Sequence, residues 1–171
     1  MQNFIQIRQT IKPFKKKINI EGDKSLSIRW ALLASQSTGK STSFNLLRSE
    51  DIISTLSSLK KLGVKVKLLK NRCEIIGVGV NGFKYRNNTT LDCGNSGTFA
   101  RLILGLLVHS NKQIKLIGDR SLSKRDFKRI IEPLEKFGAT FKSKSGNLPI
   151  FIKGTKNVNP IYYHEKKGSA Q

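Results

Sequence analysis

Leu91-Asp92-Cys93-Gly94-Asn95-Ser96-Gly97-Thr98-Phe99-Ala100-Arg101 is the stretch that decides how this chain is read. It begins as a short polar run, turns through two glycines and opens into the apolar segment Leu102 to Val108. Gly94 and Gly97 permit φ > 0 and let a ligand come close to the backbone. Asn95, Ser96 and Thr98 are helix-capping types, so the unpaired N–H groups of the next helix face the same spot. Arg101 follows one turn later. Unpaired donors, the positive end of a helix dipole and a guanidinium together make a cradle for an anion.

A related segment lies upstream. Glu21-Gly22-Asp23-Lys24-Ser25-Leu26-Ser27-Ile28-Arg29 is glycine-led and polar. It runs into Trp30-Ala31-Leu32-Leu33-Ala34, a good helix former. Asp23 or Ser25 is placed to cap that helix, and Ser25 and Arg29 share one of its faces. Lys24 and Arg29 sit where a helix dipole disfavours cations. Unfavourable charge at a helix start marks a seat for an anion. Downstream, Gly118-Asp-Arg-Ser-Leu-Ser-Lys-Arg125 is a further polar segment led by glycine, and Gly168-Ser-Ala-Gln171 another.

The elements between these segments repeat. Gly39-Lys40 is expected to end the first helix, with a strand over 41–47. A second helix starts at Ser49-Glu50-Asp51, carries Ile52, Ile53, Leu56, Leu59 and Leu62, and stops at Gly63. Val64 to Leu68 and Cys73 to Ile76 then form a hairpin. After the cradle come a helix to His109, a strand over 113–117, and a helix bearing Phe127, Ile130, Ile131, Leu134 and Phe137 that stops at Gly138. A hairpin about Ser145-Gly146-Asn147 closes the second unit. Gly63 and Gly138 are 75 residues apart, and Arg29 and Arg101 are 72 apart. That period exceeds solenoid repeats and indicates a duplicated α/β unit. Gly168 follows Gly94 by 74 residues, where a third unit would begin. At the N-terminus, Phe4 to Ile7 and Ile18 to Ile20 alternate like strands.

Composition narrows the partners. Lys and Arg number 32 against 11 acidic residues, for a net charge of +21. This favours anionic partners such as nucleic acid, acidic membrane or phosphorylated metabolites; solvated lysine-rich faces account for the surplus equally well. The basic segments lack the interleaved aromatics of single-strand binders, so no nucleic acid is expected. The longest apolar run, Leu102 to Val108, is far too short to span a membrane, and Met1 to Ile20 holds no uninterrupted apolar h-region. Cys73 and Cys93 form no metal spacing, and Cys93, with no base near it in sequence, reads as a small buried residue. His109 and His164 are isolated. Ala34 to Ser41 imitates a phosphate loop, but a helix precedes it and a strand follows, the reverse of the required order.

Taken together, the motifs resemble those of the 5-enolpyruvylshikimate-3-phosphate synthase family. The residues that carry the resemblance are Gly22 to Arg29, Gly94 to Thr98 with Arg101, Ser121-Leu122-Ser123-Lys124-Arg125 with Ile131-Glu132-Pro133-Leu134, and Gly168 to Gln171. The sister UDP-N-acetylglucosamine enolpyruvyl transferases share the repeats but lack the Asp-Lys-Ser…Arg opening. The resemblance implies an α/β protein of two lobes, each with three βαβαββ units, and a site between the lobes. Residues 1–20 would join the second lobe. Residues 21–92 and 93–167 would be two units of the first lobe, truncated at the start of the third.

The implied reaction transfers the enolpyruvyl group of phosphoenolpyruvate to the 5-hydroxyl of shikimate 3-phosphate, releasing phosphate, in the cytoplasm and without metal or cofactor. By the same resemblance Lys24 would touch both substrates, and Ser25, Arg29, Ser169 and Gln171 would hold shikimate 3-phosphate. Asn95 and the backbone at Gly97 would shape the phosphoenolpyruvate pocket, and Arg125 would bind its phosphate or carboxylate. The acid and base groups are expected in the second lobe, so the 171 residues alone are expected to be inactive, and the complete enzyme to be a monomer. Ile28 and Asp126 depart from the family's usual histidine and proline.

Overall fold

The computed structural model describes residues 6, 8, 10, 12, 13, 15–18 and 20–164. Asp23 starts the first helix: its carboxylate accepts the Leu26 N–H at 2.7 Å. α1 (Lys24–Gln36) buries Ile28, Ala31 and Leu32. It ends three residues before Gly39, because the Ser37 hydroxyl and N–H both donate to the Ala34 carbonyl and so compete with helix continuation. Gly39-Lys40 therefore lies inside β1 (Thr38–Phe44) instead of stopping the helix. The order across Ala34 to Ser41 is helix then strand.

α2 (Glu50–Lys61) has acids in its first turn and lysines in its last, which suits its dipole. Gly63, at φ 87°, stops it. β2 (Lys65–Leu68) and β3 (Arg72–Val78) form the first hairpin, and β3 also pairs antiparallel with β1, giving the order β1-β3-β2. The second sheet uses β4 (Thr89–Asp92), β5 (Ile114–Ile117), β6 (Thr140–Lys144) and β7 (Asn147–Lys153) in the order β4-β5-β7-β6. β4 runs parallel to β5, and the other pairs are antiparallel. α3 (Gly97–Leu106) joins β4 to β5, and α4 (Lys128–Lys136) precedes β6. The second unit is thus βαβαββ. Because β4 hydrogen-bonds in the second sheet, the junction between the sheets falls before Thr89 and not at 92/93. Of the two N-terminal strands, Phe4, Ile5, Ile7 and Asn19 lie outside the described residues; Gln6, Ile18 and Ile20 are in no strand.

The duplication is visible in contacts as well as in element order. The Leu62 carbonyl accepts the Lys84 N–H at 2.9 Å; in the second unit Phe137 accepts from Asn159 at 3.0 Å. Ser37 accepts from Gly79, and Val108 accepts from Thr155. At the second pair of contacts the end of a strand, β3 or β7, lies against the C-terminus of a helix, and only a glycine fits beside it. A Cβ on Gly77 would stand 2.2 Å from the Ser37 oxygen; one on Gly154 would stand 2.1 Å from that of Val108. Buried side chains of both units form one core, in which Ile28, Leu32, Leu59, Phe99, Ile103 and Phe127 take part. Full burial of such side chains contributes roughly 1.5–3 kcal/mol each. Leu26 and Leu33, two turns apart on α1, stand outside it, 68% and 73% exposed.

Gly77→Ala and Gly154→Ala should each destabilise the chain by about 1–3 kcal/mol, since backbone and not a flexible side chain must yield. Urea unfolding monitored by circular dichroism checks this; an unchanged midpoint in either variant would contradict it.

Candidate anion-binding site

The cradle is built by short polar contacts that fix the turn between β4 and α3. The Asp92 carboxylate accepts the Gly94 N–H at 2.9 Å, and Gly94 takes φ 54°. The Ser96 N–H bonds to the Cys93 carbonyl at 2.9 Å. The Ser96 hydroxyl, buried, accepts the Phe99 N–H at 3.1 Å and caps α3. Among the described residues no acceptor is found for the N–H groups of Gly97 and Thr98, the first two of the helix. Cys93 is fully buried, and burial, with Asp92 adding to it, pushes its thiol up to about 12. It is structural, and no nucleophile at neutral pH.

Two guanidiniums converge on Gly97. A Cβ there would lie 2.8 Å from an Arg101 Nη and 2.9 Å from an Arg125 Nη. Arg101 is oriented from behind: it donates to the Asp126 carbonyl at 3.3 Å and stacks over the Phe127 ring at 5.0 Å. Burial and then the neighbouring Arg125 lower its pKa. Two cations held this close repel each other, and an anion between them relieves that repulsion. Asp126, the acid that follows Arg125, gives its carboxylate to the Lys128 N–H at 2.8 Å and so serves the start of α4.

Two carboxylates that the sequence reading does not place at the site tie the segments together. Asp51, in the first turn of α2, pairs with Lys24 at 3.0 Å and accepts the Asn95 N–H at 3.2 Å. Asp119 accepts the Asn95 side-chain amide at 2.6 Å and the Leu122 N–H at 2.7 Å, while its own N–H donates to the Gly94 carbonyl. The Leu122 N–H first, and then the Asn95 amide, hold the Asp119 carboxyl below the usual carboxylate range. Lys24 and Asn95 are thereby linked, and Gly97, two residues on from Asn95, is where Arg125 joins them. Ser25 and Arg29 stand on the first turns of α1; Arg29 is exposed, and its side chain makes no hydrogen bond or ion pair among the described residues. Ser169 and Gln171 lie outside the described residues.

Elsewhere, Arg48 lines a separate cavity with Asn45, Lys70 and Arg72, but it donates to the Leu69 and Lys70 carbonyls and so tethers the first hairpin. Among the described residues no group of three or more His, Cys, Asp or Glu is placed to hold a metal ion, and no helix is long and apolar enough to cross a membrane.

Comparison with known proteins gives a consistent result. The family profile described as EPSP synthase (3-phosphoshikimate 1-carboxyvinyltransferase) matches residues 8–171. A 3-phosphoshikimate 1-carboxyvinyltransferase of Ruthia magnifica subsp. Calyptogena magnifica is 43% identical over 154 residues, covering 90% of this chain and 35% of that protein. Its counterpart in Streptococcus suis (strain 98HAH33) is 37% identical over 169 residues, covering 98% and 39%. An EPSP synthase structure from Acinetobacter baumannii superposes with a TM-score of 0.83 at 34% identity, over 92% of this chain and 36% of that one. The chain therefore spans little more than a third of the length of these relatives.

The depressed Asp119 pKa has a definite pH signature. In the unfolded chain this carboxyl binds its proton at higher pH than in the folded one, so its contribution is full above about pH 4 and is lost as pH falls through the depressed value. The stability difference between wild type and Asp119→Ala should be present at pH 7 and shrink in acid. A difference that is constant from pH 7 down to the acid-unfolding range would contradict it.

Proposed function

Because the chain belongs to the EPSP synthase family, we propose that it supplies the anion-binding part of a 3-phosphoshikimate 1-carboxyvinyltransferase. The reaction moves the enolpyruvyl group of phosphoenolpyruvate onto the 5-hydroxyl of shikimate 3-phosphate and releases phosphate. The observation that carries this reading is the meeting of Arg101, Arg125 and the α3 N-terminus on Gly97. Phosphoenolpyruvate offers a phosphate and a planar carboxylate, and guanidinium forks match both. The name shared by the relatives favours shikimate 3-phosphate over a UDP-sugar as acceptor.

In this reading Arg125 binds phosphoenolpyruvate, the Asn95 side chain and the Gly97 backbone shape its pocket, and Lys24 reaches both substrates. Ser25 and Arg29, with Ser169 and Gln171, hold shikimate 3-phosphate. An unpaired Arg29 at the start of a helix suits that task, since a bound phosphate offsets both its charge and the adverse dipole. The residues described around the cradle bind and orient. Proton transfer needs a group free to gain and lose a proton near neutral pH. Asp51 is engaged by Lys24 and Asn95, Asp119 is held ionised by its donors, and His109 lies past the far end of α3.

The purified 171-residue chain should bind shikimate 3-phosphate in a calorimetric titration, lose most of that binding on Arg29→Ala, and show no turnover of the substrate pair. Salt-dependent binding to DNA that is indifferent to Arg29→Ala, with no shikimate 3-phosphate binding, would instead make the +21 charge the functional feature. Turnover by the chain alone would refute the assignment of proton transfer to other residues.

A further inference from the structure

Lys24 and Asn95 belong to different units, yet one carboxylate holds both. We infer that Asp51 is a positioning residue of the anion site, setting the Lys24 ammonium in register with the Asn95–Gly97 turn; this rests on the reading of that site as the substrate site. The geometry is specific. Asp51 Oδ2 takes the ammonium at 3.0 Å, while Oδ1 takes the Asn95 N–H at 3.2 Å. The Asp51 side chain is 13% exposed, whereas that of Lys24 is 49% exposed. The carboxylate is thus the fixed member, and the lysine is the one with freedom to lose. Gly94 makes the approach possible: a Cβ there would stand 3.5 Å from Asp51 Oδ1 and 3.2 Å from the Ser54 hydroxyl, on backbone already at φ 54°.

A carboxylate beside a site for anions opposes binding by its charge. Its presence is explained if what it orders is worth more than what it repels. A flexible lysine loses considerable rotamer freedom when it grips a ligand, and an existing partner removes part of that loss in advance. The carboxylate also fixes the turn that presents the Gly97 and Thr98 N–H groups. Asp51 touches neither proposed substrate in this scheme; it acts through Lys24 and Asn95.

The test is a calorimetric double-mutant cycle on the full 171-residue chain, with inorganic phosphate and with shikimate 3-phosphate as probes. Asp51→Ala should weaken phosphate about tenfold despite removing a negative charge, and the Lys24→Ala/Asp51→Ala double variant should be weaker by less than the product of the single losses. Asp51→Asn, which keeps the size and an acceptor for the Asn95 N–H, should lose less and covers the case in which the alanine variant does not fold. Tighter or unchanged phosphate binding in Asp51→Asn, or fully multiplicative losses in the cycle, overturns the proposal. So does a wild-type chain that binds no phosphate. A wild-type chain that binds phosphate but not shikimate 3-phosphate overturns the substrate assignment alone, and the phosphate arm still decides the role of Asp51.

Discussion

Cations and two helix N-termini meet at one site of this molecule, and the fold has to hold them there. Lys24, Arg101 and Arg125 approach the starts of α1 and α3, whose dipoles add to the same sign. Neither helix has an acid in its first turn. α2 does, with Glu50 and Asp51, as suits a helix whose start faces no anion. Left unopposed, the cations would swing apart into solvent. Asp51 restrains Lys24 from behind, and the Phe127 ring with the Asp126 carbonyl restrains Arg101, while Asp119 fixes the Asn95 side chain beside them.

This arrangement explains why a polar turn depends on so much buried structure. Ser96 caps α3 from a buried position, and the apolar side of that helix, Phe99, Ile103 and Leu104, anchors it in the common core. α1 meets the same core through Ile28, Ala31 and Leu32. The two helix starts are therefore fixed relative to each other by packing, and Asp51 only has to span the short polar gap between them. Stability and site geometry are coupled through the core and not through the surface charges themselves, which contribute little as isolated exposed pairs.

Features that depend on local chemistry were legible in the sequence. Gly63 and Gly138 stop their helices with positive φ, Asp23 and Ser96 cap theirs, and the hairpin turns sit where glycine and asparagine place them. The repeat followed from the spacing of those signals. The end of α1 was misplaced because glycine is the stronger stop on average, while here the Ser37 hydroxyl reaches the Ala34 carbonyl first. The two organising carboxylates were invisible for a different reason. Asp51 meets Asn95 across 44 residues and Asp119 meets it across 24, and nothing in an acid at a helix start or in a loop announces a distant partner. Arg101 and Arg125 were readable as cations, but their convergence on Gly97 is a product of tertiary packing.

The most direct measurement is a crystal structure of the chain grown with phosphoenolpyruvate and shikimate 3-phosphate. The account predicts one anionic group against the Gly97 and Thr98 N–H groups, between the Arg101 and Arg125 guanidiniums, and a second phosphate on Ser25 and Arg29, with the Lys24–Asp51–Asn95 linkage intact between them. Anions bound instead in the cavity beside Arg48 and Arg72, with the surface over Gly97 empty, would contradict it.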